Sequence, residues 1–226
     1  MAGAARGFPP AWTLYYWAAK WQADGSTETM HGQLRDRVRE LAGRTRAPSA
    51  AVIDSQSVRA AEEVARTSRG YDAGKKVQGR KRHIAVDTIG LLLTVLITAA
   101  RVQDRDAAKP LLWNLRKAFP SIRLAWAGGG YAGQLVTWAK TALKLTVQIV
   151  RRPDDLHTFK VLPRRWVVGR TLAWITRHRR TVRDYERLPA HRETYIYWSM
   201  IIVMTRRLAR KAETASTSAP AHSDAA

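Results

Sequence analysis

Apolar positions change period along this chain, and the changes divide it into segments. Between Pro10 and Arg44 the period is helical: Trp12, Tyr15, Tyr16 and Trp17 crowd together, then Met30, Leu34, Val38 and Leu41 recur at spacings of 4, 4 and 3. Asp24-Gly25-Ser26 splits this stretch into two short helices, and Gly43 to Ser49 reads as a linker. From Ala50 the pattern turns to strands. Ala51-Val52-Ile53 is a short apolar strand ending in Asp54-Ser55-Gln56-Ser57. Arg82 to Asp87 is a second strand, which Thr88-Ile89-Gly90 turns into Leu91 to Thr98 as a hairpin. Between the first two strands, Arg59 to Arg80 holds Gly70, Gly74, Gly79 and six Lys or Arg, the composition of a mobile basic loop.

Further on, a helix is predicted over Asp106 to Phe119, with Leu111, Leu112, Leu115 and Phe119 on one face. A strand, Ile122 to Ala127, runs into Gly128-Gly129-Gly130-Tyr131; a helix, Gln134 to Leu143, and a strand, Leu145 to Val150, follow. This alternation predicts an α/β fold, a hairpin-containing mixed sheet with helices on its faces. Beyond a polar stretch ending at Pro163, a helix from Arg164 or Trp166 to Arg180 buries Val168, Leu172 and Ile175. A last helix, Thr194 to Lys211, buries Tyr197, Ile201, Met204 and Leu208. Residues 1–48 thus form a small helical region with linker, 49–211 an α/β domain, and 212–226 a tail rich in Ala, Ser and Thr that is expected to be disordered.

Charge adds a partner class. With 39 Lys and Arg against 18 Asp and Glu the formal net charge is +21, so a polyanion is the first partner to consider. Hydrophobic residues make up 46%, enough to exclude a wholly disordered basic protein. The absence of cysteine excludes disulfides, thiolate metal sites and cysteine nucleophiles. The longest apolar runs, Ile89 to Ala100 and Tyr195 to Met204, fall short of the roughly 20 residues a membrane helix needs. The start carries no apolar stretch of signal-peptide type, so export is not expected.

Candidate phosphate contacts lie in two places. Lys75, Lys76, Arg80 and Lys81 belong to the basic loop and its border; Arg164, Arg165, Arg170, Arg177 and Arg180, with His178, Arg179 and Arg183, belong to the basic face of the penultimate helix. A solvated charged face is the rival reading for the latter. Asp54 is either a turn or cap residue or a metal ligand, and Asp87 either a strand-end turn or a second metal ligand on the neighbouring strand. His83, His178 and His191 have no ligand spacing for zinc; Ser55 and Ser57 lack a His-Asp relay; Gly128-Gly129-Gly130 lacks the Lys-Ser/Thr ending of a P-loop. Asp184 and Glu186 are expected to pair with neighbouring arginines. Trp113, Trp138 and Trp174 read as core, and Trp166 as core or as a stacking surface for an unpaired base.

Four separated strings carry a resemblance: Asp54-Ser55-Gln56-Ser57-Val58; Gly74 to Asp87; Gly129-Gly130-Tyr131-Ala132-Gly133; and Leu162 to Val168 with Arg170-Thr171 and Arg183-Asp184-Tyr185-Glu186. In this order they resemble the DDE-type transposases of bacterial insertion sequences, closest to the group numbered five in the insertion-sequence scheme. The resemblance runs from Phe8 to about Leu208. It implies a ribonuclease-H-like fold in which three acids hold two Mg2+ or Mn2+ ions for DNA cleavage and strand transfer. It also implies terminal inverted repeats as the DNA partner and a homo-oligomer on that DNA. Carried over residue by residue, the first acid is Asp54, but Gly128 stands at the second position and Gly169 at the third. Each replacement needs one A to G change in a codon's middle base. The helical region from Phe8 to Arg44 resembles only the last part of the family's longer N-terminal DNA-binding region.

Three readings follow from the sequence. The first is a transposase impaired in chemistry that still binds DNA. The second is a non-catalytic remnant that represses intact subunits or joins them, and the third is a general RNA-binding basic protein, supported by charge alone.

Overall fold

The computed structural model describes residues 9–150 and 165–217. Helices α1 (Ala11–Ala23) and α2 (Ser26–Leu41) precede strands β1 (Ala50–Arg59), β2 (Gly70–Asp72), β3 (Val77–Val86) and β4 (Leu92–Ala99). Helix α3 (Asp104–Ala118), β5 (Leu124–Ala127), α4 (Gln134–Leu143) and β6 (Thr146–Ile149) follow, then α5 (Arg165–Thr176), α6 (Arg179–Val182) and α7 (Pro189–Thr217). The sheet runs β2-β3-β1-β5-β6, with β4 also on β3. The pairs β1–β3, β2–β3 and β3–β4 are antiparallel, while β1–β5 and β5–β6 are parallel. This is the mixed α/β architecture expected of a ribonuclease-H-like domain.

The period-2 alternation of strand residues builds two cores, one on each face of the sheet. Ala51, Ile53, Ala85 and Ala125 pack against Leu111, Leu112 and Leu115 of α3 and Leu135 of α4. On the other face, Val52, Ile84, Val86 and Trp126 meet Val168, Leu172 and Ile175 of α5 and Ile196, Met200 and Met204 of α7. Val38 of α2 joins this second core, and α1 and α2 both pack on α7, so the N-terminal helices share the sheet's core.

Four segments differ from the sequence reading. β1 does not stop at Asp54; it continues through Arg59 in register with β3, because its polar residues find partners across the sheet. Gln56 takes the guanidinium of Arg82, and Ser57 donates to Asp72 at 2.5 Å. The expected mobile loop from Arg59 to Arg80 is ordered. Ala60 bridges to Asp184, and β2 makes a hairpin with β3. Arg80, 1% exposed, donates to the carbonyls of Glu186 (2.7 Å) and Arg187 (2.9 Å) and pairs with Asp184 at 3.4 Å. The long penultimate helix breaks after Thr176, where the Thr181 hydroxyl donates to the carbonyls of Ile175 and His178 and a new turn, α6, begins. The last helix runs on to Thr217, past the expected start of the tail.

Among the described residues, no helix is long and apolar enough to cross a membrane. Trp138 and Trp174 are partly buried against the two cores, whereas Trp113, expected inside, is 57% exposed on the outer side of α3.

Candidate functional site

Parallel pairing of β1 with β5 sets the site. The register matches Ala50 with Leu124, Ala51 with Ala125 and Val52 with Trp126. Two residues further along each chain come Asp54, where β1 continues, and Gly128, just past the end of β5 at Ala127. Both have the parity of Val52 and Trp126, which face α5. Strand ends at the carboxyl edge of a parallel pair are where open α/β sheets present ligand-binding residues.

Helix α5, which carries Gly169, packs over β1 and β3. At one end Thr176 accepts from Arg82, which also holds Gln56; at the other Thr171 donates to Gly90 O at 2.7 Å. Gly169 lies two residues before Thr171 and about 10 Å along the helix from Thr176, so α5 runs beside β1 from the β3–β4 turn to the level of Gln56. Arg170 and Thr171 reach the β3–β4 turn, while Gly169 is in line with Thr176 on the other flank of α5. Asp54 on β1 and Gly128 just past the end of β5 thus lie on neighbouring strands, and α5, which carries Gly169, packs over β1.

The backbone there accepts side chains. Gly128 has φ −74° and ψ 171°, extended geometry open to any residue. Gly169 is in regular helix, and a Cβ built on it meets no atom within 4 Å. Asp54 Oδ1 accepts from the Ser55 amide at 2.8 Å. A pair of divalent ions needs several anionic oxygens around it. Of the three positions only Asp54 supplies one, and among the described residues no three His, Asp or Glu side chains are grouped to hold a metal ion. The residues present do not fit a two-metal centre.

Asp87 is not a substitute ligand. It is fully buried at the end of β3, paired with Arg39 of α2, and its other oxygen accepts from the amides of Ile89 (3.0 Å) and Leu91 (2.8 Å). Its carboxylate is consumed by the turn and the ion pair. It also stands three residues beyond Ile84, the cross-strand partner of Asp54, about 10 Å along the strand.

The basic candidates separate into exposed and internal groups. Lys75 and Lys76 are exposed at the tip of the β2–β3 hairpin, Lys75 Nζ standing 3.4 Å from Ser55 Oγ. Arg80 and Lys81 are internal: Lys81 Nζ pairs with Asp72 at 3.2 Å and Asp104 at 3.0 Å, so these two serve the fold and leave the set of phosphate contacts. Arg164 lies outside the described residues, and of Arg165 only the backbone is described. Arg170 donates to Ile89 O, with its guanidinium carbon 4.3 Å from the Trp166 ring centre and 4.7 Å from that of Trp174. Trp166 is thus exposed and carries an arginine on its face. Arg177 is exposed at the end of α5, and Arg180 pairs with Glu186 at 2.8 Å. Asp184 pairs with the distant Arg80 rather than with a neighbour in sequence.

The histidines are structural or flanked by cations. Burial pushes His83 down to about 4, and its Nε2 lies 2.9 Å from Thr98 Oγ1. Sequence reasoning missed Arg206, Arg207 and Arg210 of α7, which stand beside Arg177 and His178. The signal was available: these arginines interleave with the apolar stripe Ile201, Met204 and Leu208 and so must face away from it.

No curated protein matches the chain. A family model described as a transposase DDE domain matches residues 45–204, which takes in every strand and the helices α3 to α6 with half of α7. The match covers most of the chain, which therefore belongs to the family of DDE transposase domains.

Proposed function

We propose that this chain is a transposase domain of an insertion sequence, of the group numbered five, that binds the element's terminal repeats as DNA while its phosphodiester chemistry is severely impaired. DDE transposases act on DNA and generally use divalent metal ions. The observation that carries the reading is the parallel register of β1 with β5, which puts Asp54 and Gly128 each two residues past the matched pair Val52 and Trp126, where family resemblance expects two of three acids. One carboxylate cannot hold two cations against their mutual repulsion, so no cleavage step is assigned to this copy. DNA binding rests on Lys75, Lys76, Arg170 and Arg177, and on assembly as a homo-oligomer on DNA in the bacterial cytoplasm.

The test is nicking and strand transfer on duplexes carrying the terminal repeats, with Mg2+ or Mn2+. The natural chain is compared with its Gly128→Asp/Gly169→Glu double variant. The backbone at both positions tolerates the new side chains, so the variant is expected to fold and cut while the natural chain does not. Cutting by the natural chain would overturn the impairment, and failure of both to bind the repeats would overturn the DNA reading.

A further inference from the structure

The face of α5 that carries Trp166, Arg170, Trp174 and Arg177 has a feature that the Asp54 position does not explain. Two adjoining depressions lie between α5 and α7, sharing Arg207. One, of about 550 Å³, has an apolar floor that includes Val38 and Ile89 and is rimmed by Arg170, Arg207 and Lys211. The other, of about 440 Å³, is walled by Trp174 and Val203 and ringed by Arg177, His178, Arg206 and Arg210.

Tryptophans hold these cations in place. Arg170 is held between Trp166 and Trp174, and Arg207 lies over Trp174 with its guanidinium carbon 4.2 Å from the ring centre. Such stacking orients a guanidinium while leaving its N–H edge available for phosphate oxygens. Elsewhere in the molecule arginines are matched with acids, as Arg39 is with Asp87, Arg80 with Asp184 and Arg180 with Glu186. Here Arg170 and Arg207 are held by aromatic rings and, for Arg170, by the carbonyl of Ile89. The crowding shows in the titration of its members. Burial and then the charge of Arg206 hold His178 below its ordinary value, and burial and then Arg170 do the same to Arg207. An incoming anion relieves that repulsion.

We propose that the α5–α7 cleft is a second DNA-contact site, a phosphodiester-binding groove distinct from the Asp54 end of the sheet, which holds the backbone of duplex DNA without reading sequence. The proposal rests on the DNA-binding reading above and adds its place. Trp166 to Arg177 spans about 16 Å of helix. That is the rise of four or five successive phosphates on one strand at about 3.4 Å each.

The experiment measures binding of a duplex of unrelated sequence as a function of KCl concentration. The Arg177→Gln/Arg206→Gln/Arg210→Gln variant is compared with Lys109→Gln/Lys117→Gln/Lys140→Gln, which removes the same charge from exposed positions on α3 and α4. Each phosphate contact contributes about 0.9 to the slope of log affinity against log salt. The groove variant is expected to lose two to three contacts from that slope and to bind at least about tenfold more weakly at low salt, with the α3–α4 variant within about threefold of the natural chain. Arg→Lys at the same three groove positions is expected to restore the slope, which a purely structural role for these residues would not predict. Equal losses in both glutamine variants, natural binding by the groove variant, or a groove dependence seen with single-stranded RNA but not with duplex DNA would each overturn the proposal. A natural chain that binds no duplex at any salt would remove the DNA reading and this groove together; a natural chain that binds while ignoring the groove substitutions removes the groove alone.

Discussion

Glu193 of α7 accepts the amide of Ile97 on β4 at 2.9 Å from a largely buried position. Burial pushes its carboxyl up to about 7; the Ile97 amide opposes that rise and the charge of Glu28 adds to it. The unfolded chain ionises this group near 4.5, so between about pH 4.5 and 7 the folded state binds more protons and stability falls as pH rises. Above pH 7 the full penalty is roughly 3 kcal/mol. Glu193→Gln keeps an acceptor for Ile97 and never ionises. It is expected to raise the melting temperature at pH 8 and leave it unchanged near pH 4, which thermal unfolding at the two pH values would check. Sequence showed Glu193 only as a polar residue near the start of the last helix, because the strand amide it caps is 96 residues away. Asp87 was half legible. Its turn role is local, through Ile89 and Leu91, whereas its ion pair with Arg39 spans 48 residues and has no sequence signature.

Element boundaries followed the apolar pattern wherever burial alone decides. The helix over Gln134–Leu143 and the β3–β4 hairpin were legible for that reason. The pattern failed where polar residues pair with each other across the sheet, as Gln56 does with Arg82, since β1 then extends without an apolar run. Two glycines separate packing from chemistry. A Cβ on Gly79 would lie inside the contact radius of Val58 O and 2.7 Å from Ala60 N, because β3 there passes tightly against the end of β1. Gly79→Ala is expected to cost at least about 3 kcal/mol, in the range of overpacked cores. Gly169→Ala fills open space in a helix and should gain about 1 kcal/mol. Denaturant unfolding of both variants gives the two signs in one experiment.

Across the whole molecule, the formal charge of +21 overstates what a ligand meets. Arg39, Arg80, Arg82 and Arg192 are buried and donate inward: Arg82 reaches Thr181 O at 3.1 Å, and Arg192 reaches the same carbonyl at 2.7 Å. Arg80 and Arg82 tie the segment after α5 to the sheet, Arg192 ties it to α7, and Arg39 holds the turn at Asp87, uses of basic residues that a charge count cannot distinguish from phosphate binding. The remaining surface cations repel one another, so added salt should stabilise the fold. Raising KCl from about 20 to 200 mM is expected to lift the melting temperature by about 2–4 °C, the equivalent of ~1 kcal/mol for a chain of this size. No rise, or a fall, would mean that surface pairing already cancels the repulsion.

The open helix surface at Gly169 has a consequence for inheritance. A residue that touches nothing in the folded protein can be exchanged without the fold registering the change. Folding quality control, which removes copies with broken cores, is blind to substitutions at this position. A gene for such a domain can pass through a change there and go on producing a soundly folded product. That product would still compete for the same DNA, and a single codon would separate it from having a carboxylate at position 169.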